Sequence, residues 1–168
     1  MKKQYWPVMG LCVLFFSCMV FPPPVTEAWS SSGTVNGEIM SVGKINVDSS
    51  GSRDSLEREI TGILPLLLLE NGYRLPEPGG VPPDFTVDVS VIEREYMESW
   101  QTKRSLSVEV RIWQPETTLP LAAGRAMLSG NKSFSSSKVT NTLLRSALSK
   151  ALSVFEAGHQ NQKQGIGG

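Results

Sequence analysis

The chain has 168 residues, 40% hydrophobic and 19% charged, with 16 basic side chains balancing 16 acidic ones, which is the size and balance of one globular domain. Nucleic-acid binding is disfavoured, since neutralising phosphates takes a concentrated cationic surface and the basic residues beyond Lys2 and Lys3 are scattered. Fifteen Gly and 11 Pro fall short of the composition of a low-complexity disordered chain.

The N-terminus has the form of an export signal. Met1-Lys2-Lys3 is a short positive region, and Val8 to Phe21 is an unbroken run of apolar and small residues. As a helix that run rises about 21 Å, short of a hydrocarbon core about 30 Å thick. It therefore predicts a signal rather than a permanent span, and Pro22-Pro23-Pro24 ends any helix.

Two processing sites are open. Thr26-Glu27-Ala28 before Trp29 has the small residues that a signal peptidase accepts, giving a signal peptide over residues 1–28 and a soluble product. Alternatively, Phe15-Phe16-Ser17-Cys18 resembles a relaxed bacterial lipobox, giving a lipoprotein signal over residues 1–17 and lipidation of Cys18. Phe15 and Phe16 stand where a lipobox has Leu and a small residue, a departure from the pattern. The only cysteines, Cys12 and Cys18, both lie in this segment, so the rest of the chain contains no disulfide.

Residues 29–38 read as a flexible Ser/Gly-rich spacer, 39–156 as a single α+β domain and 157–168 as a disordered polar tail. A mixed alternating stretch, Ile39 to Val47, predicts a first strand. A helix follows from about Asp54, with Glu57 placed for a capping box. Its apolar stripe is Leu56, Ile60, Ile63 or Leu64, Leu67 and Leu68; Pro65 predicts a kink and Asn71-Gly72 a left-handed stop.

Phe85 to Ile92, Ser105 to Trp113 and Leu121 to Ser129 alternate as three further strands in a meander. A turn centred between Ser99 and Trp100 sets Asp88 opposite Arg111, and one centred on Thr117 sets Glu109 opposite Arg125, predicting two cross-strand ion pairs. Small residues at Ala122, Gly124 and Ala126 leave room for a closely packed helix, and Leu144, Leu148, Ala151 and Phe155 supply its stripe. The predicted fold is an α+β two-layer sandwich, β-α-β-β-β-α, with two helices on one face of a four-stranded mixed sheet.

Catalytic chemistry is hard to assemble from these residues. His159, the only histidine, falls in the predicted tail, where nothing holds it against a nucleophile. One histidine and no thiol beyond Cys12 and Cys18 cannot make a usual zinc set, so neither a metal nor another cofactor is expected. Glu93 and Glu95 share a strand face, but Arg94 lies between them and the strand is leaving the core there, which suits solvated carboxylates better than an acid/base pair. The residues that stand out for contact are Tyr96, Met97, Trp100 and Trp113, aromatic or large apolar groups in a loop or on the polar face.

Leu64 to Leu75, with the helix ending in Asn71-Gly72-Tyr73-Arg74-Leu75, then Pro83-Asp84-Phe85-Thr86-Val87-Asp88-Val89, the meander and the terminal helix resemble the small bacterial envelope lipoproteins. That group includes the LPS-assembly lipoprotein of the outer-membrane translocon and auxiliary lipoproteins of ABC transporters. The resemblance covers about residues 39–156 and implies a non-enzymatic subunit that docks to a membrane-protein or envelope-complex partner. The expectation is an exported protein of a diderm bacterium, an accessory or assembly subunit in outer-membrane biogenesis or lipid or LPS-type transport. It would reside in the periplasm, or on the periplasmic face of the outer membrane if Cys18 is lipidated. The alternative is a periplasmic binding module for a lipid or peptidoglycan fragment, with a pocket between the kinked helix and the sheet.

Overall fold

The computed structural model describes residues 25–30, 38–49, 53–130 and 137–165, with side chains described from 38 through 158 of these. The elements are β1 (Val25–Ser30), β2 (Met40–Asp48), α1 (Arg53–Glu70), β3 (Phe85–Glu98), β4 (Gln101–Trp113), β5 (Ala122–Gly130) and α2 (Ser137–Gly165). From β2 onward the order is β-α-β-β-β-α, an α+β fold with a four-stranded mixed sheet and two helices. β1 then extends the sheet by pairing with β5, giving the spatial order β1-β5-β4-β3-β2.

That fifth strand was not expected. Val25–Ser30 falls where the sequence suggests a signal end and a spacer, yet it pairs antiparallel from Val25↔Met127 to Ser30↔Ala122. The site between Ala28 and Trp29 lies inside it, while Cys18 lies outside the described residues. At the other terminus α2 runs to Gly165, so the tail expected from residue 157 is helical for most of its length.

The meander registers agree with the charge and turn arithmetic. β3 and β4 pair Val87↔Ile112, Asp88↔Arg111 and Val89↔Val110, and β4 and β5 pair Glu109↔Arg125 and Val110↔Gly124. The two cross-strand ion pairs do not follow from the register. Arg111 instead pairs with Glu109, two residues along its own strand, and Arg125 Nε donates to Ser107 Oγ at 2.8 Å. Asp88 is taken by the backbone of β2, whose Lys44 amide donates to Asp88 Oδ1 at 2.8 Å.

That bond sits at a bulge. β2 pairs parallel with β3, but the register shifts between Val42↔Val87 and Ile45↔Val89, so one extra residue occupies β2 and the facing of its side chains changes. Met40 and Val47 are both buried although they stand an odd number of positions apart, which is why the alternation in this stretch looked mixed. Gly43 fits there without displacing its neighbours, because a Cβ would come within 2.2 Å of Asp88 Oδ1 and 2.4 Å of Thr86 Cγ2 and both side chains would have to shift.

α1 buries Leu56, Ile60, Leu64, Leu67 and Leu68, each such side chain contributing roughly 1.5–3 kcal/mol. It begins at Arg53, so Asp54 lies in the first turn rather than capping, and Pro65 is inside it. It stops as expected: Gly72 has φ +86°, Tyr73 N donates to Leu68 O at 3.1 Å and Gly72 N to Leu69 O at 3.0 Å, the paired bonds of a Schellman cap.

α2 lies against β4, β5 and β1, packing so close that a Cβ on Gly124 would approach Ala147 O to 2.2 Å and Ala151 N to 2.6 Å. Leu143, Leu144, Ala147, Leu148, Ala151, Leu152 and Phe155 are buried on it, and the Phe155 ring meets Phe85 edge-on at 4.9 Å. Asn141 Nδ2 donates to Glu59 at 2.9 Å and Arg145 Nη1 to Glu70 at 2.8 Å, tying the two helices together over a single core.

Candidate interaction surface

β3 and β4 outlast their neighbours. β2 stops pairing with β3 at Asp48↔Ile92, and β5 stops pairing with β4 at Gly130↔Arg104. Residues 96–103 therefore form a two-stranded hairpin beyond the rest of the sheet, an arrangement that is only marginally stable without support in water. Support comes at its base, residues 93–95 and 104, from Ser49 Oγ donating to Glu93 Oε2 at 2.6 Å and from the cross-strand pair of Arg104 with Glu95 at 3.2 Å, and within the hairpin from Lys103 with Glu98. Lys103 is held charged to higher pH than usual, chiefly by its hydrogen bond to Glu98.

The connection is two residues long, and both have positive φ: Ser99 at 50° and Trp100 at 66°. This is the type I′ geometry whose twist suits a tight hairpin and which Asn-Gly normally occupies. A tryptophan there is unfavourable for the backbone, and its ring gains no burial in return, being 95% exposed. Met97 is 67% and Tyr96 39% exposed. Adjacent on one strand, these two point to opposite sheet faces. The tip is thus apolar at its end and on both sides.

The structure brings together three of the four contact residues singled out from sequence. Trp113 is separated from them: it ends β4, a full strand length from Trp100, and is half-buried across from Thr86 with its Nε1 buried and without a hydrogen-bond acceptor. Glu93 and Glu95 stand at the base of the hairpin, engaged by Ser49 and Arg104 respectively. Among the described residues no cluster of three His, Cys, Asp or Glu side chains is placed to hold a metal.

Where the sequence suggests a pocket between α1 and the sheet, Leu64, Leu67 and Leu68 are buried in the core. A cleft of about 520 Å³ lies instead beside the C-terminal end of α1, lined by Ile39, Leu69, Arg74, Leu75, Glu77, Gly80 and Val81. Sequence reasoning missed it because it depends on how the Pro76–Pro83 loop lies against Leu69, and no periodicity encodes that. Nearby, Tyr73 is buried and its hydroxyl donates to Glu156 Oε1 at 3.2 Å; burial first, then the Glu156 charge, pushes its ionisation far above the usual tyrosine range.

No family model matches the sequence, and no curated protein matches it. Solved structures do share its fold. The PelC dodecamer from Paraburkholderia phytofirmans is similar in two crystal forms, with TM-scores of 0.51 and 0.50 at 12% and 14% identity, the match covering 76% of this chain and 96% of PelC. Lipoprotein GNA1162 from Neisseria meningitidis aligns at a TM-score of 0.39 and 14% identity, over 64% of this chain and 92% of that one. At these identities the likeness to PelC is one of fold, and nothing in these likenesses singles out the LPS-assembly lipoprotein.

Proposed function

We propose that the protein is exported to the envelope of a diderm bacterium and works there by contact. It would be a non-enzymatic accessory or assembly subunit in outer-membrane biogenesis or lipid or LPS-type transport. The observation that carries this reading is the protruding hairpin, which holds Tyr96, Met97 and Trp100 out of the fold at a cost the fold does not recover. The export signal and the fold shared with PelC support it. Affinity purification of the full chain from envelope extracts tests it. A reproducible co-purifying envelope component is expected. Because the PelC structures are dodecamers, further copies of this chain count among the partners to look for. A chain recovered repeatedly as a partnerless monomer contradicts the proposal.

The cleft beside α1 favours a second reading, a binding module for a lipid or peptidoglycan fragment. Its mainly apolar lining, joined by Arg74 and Glu77, is the usual character of a small-ligand site. Native mass spectrometry of the exported protein discriminates: a co-purifying adduct supports this reading, and a clean apo mass removes it.

A further inference from the structure

We propose that the hairpin tip formed by Tyr96, Met97 and Trp100 sits in the interfacial layer of the lipid bilayer from which the chain enters β1. The inference rests on reading the hairpin as a contact surface and goes further by naming what it touches. Topology provides the first argument. Val25, the first residue of β1, faces Met127, and Met127 faces Ser107 of β4. The start of β1 and the hairpin turn are therefore at the same end of the sheet.

Reach provides the second. Trp100 lies seven residues beyond Ser107 along β4, about 23 Å at strand rise. Cys18 lies seven residues before Val25, a length of chain that spans at most about 25 Å. The apolar run ending at Phe21 is nearer still. Acyl chains on Cys18, or a retained apolar run, would thus tether a bilayer at the height of the tip. Cleavage after Ala28 would instead divide β1 and leave no tether.

The third argument is chemical. The hairpin and its base, residues 93–104, carry Glu93, Glu95 and Glu98 against Arg94, Lys103 and Arg104, with two of the pairs closed as salt bridges. Their charge sums to zero, so headgroups of either sign are not repelled. Tryptophan and tyrosine are the side chains that favour the headgroup level of a membrane, their rings being apolar with one polar edge. None of the described helices is long and apolar enough to cross a membrane.

The test uses the chain as the cell processes it, purified from membranes and reconstituted in phosphatidylethanolamine and phosphatidylglycerol vesicles containing brominated phosphatidylcholine. Bromine in the acyl chains should quench tryptophan emission in the unaltered protein. That quenching should be largely lost in Trp100→Ser and retained in Trp113→Phe. Trp100 is at a solvated turn, so the Ser variant should keep the circular dichroism of the parent. Equal quenching with and without Trp100 overturns the proposal, as does no quenching at all. Photo-crosslinking from position 100 in whole envelopes separates the two levels of failure. A protein adduct without lipid quenching would refute the bilayer assignment and leave contact function standing. Neither adduct nor quenching would remove both.

Discussion

Trp100 has both an unfavourable φ and almost no buried surface, so its presence has no account in folding. A non-glycine residue in the left-handed region costs about 1–2 kcal/mol. Trp100→Gly is therefore expected to raise stability by about 1 kcal/mol in urea denaturation while removing the contact the tip makes. A fall in the denaturation midpoint would show instead that the ring is structural. Gly124 is the converse case. Gly124→Ala drives a Cβ into the backbone of α2 at Ala147 and Ala151, where neither partner is a movable side-chain end, and a loss of about 3 kcal/mol is expected by the same measurement. Tyr73 links packing to pH. Its ionisation is raised in the folded state above an unfolded value near 10. Its contribution is accordingly whole below about pH 10 and declines as pH rises above that. Tyr73→Phe should lose about 1 kcal/mol at neutral pH and show a shallower loss of stability above pH 10; an unchanged alkaline slope would dissociate the effect from this hydroxyl.

Among the elements, what was legible in the sequence is what periodicity and charge jointly constrain. The β3–β4–β5 registers followed from turn positions, because a one-residue slip would have placed Val87, Val89 and Val91 on the solvent side. The helix stripe and the Asn71-Gly72 stop were legible for the same reason: spacing and left-handed geometry are local. The ion pairs were not, since register sets which residues are opposite but not which charge each side chain prefers. Arg111 found Glu109 and Asp88 found a backbone amide at the β2 bulge. The bulge itself was not legible because the neighbours of Gly43, Asp88 and Thr86, lie on another strand. β1 was concealed because a run of six residues with small side chains at Thr26 and Ala28 matches a cleavage site as well as it matches a strand. At the hairpin, sequence located the exposed aromatics, but the separation of Trp113 from Trp100 needed the strand length. A chain beginning at Trp29 keeps only two of the six β1 residues and exposes the β5 edge. Compared with a chain beginning at residue 19, it should unfold at lower denaturant and self-associate more in light scattering. Indistinguishable behaviour would remove β1 from the working fold.

For the molecule as a whole, the two ends of the sheet differ in kind. One carries the hairpin tip and the start of β1. The other carries the Pro76–Pro83 loop, the cleft beside Leu69 and Leu75, and the end of β4 at Trp113. That polarity suits a protein whose tether and contact tip lie at the same end. It also fixes an expectation for the mature N-terminus: intact mass should place it upstream of Val25, with acylated Cys18 as the first residue, whereas a chain starting at Trp29 would divide β1.

The claim underlying this account is that the hairpin tip is the part of the molecule that meets another surface in the envelope. A photo-reactive amino acid placed at position 100, activated in intact cells that export the protein, tests it most directly. The account expects covalent adducts to lipid or to an envelope component from that position, well above those from an exposed control at Lys150 on α2. Adducts no more abundant at position 100 than at Lys150 would contradict it.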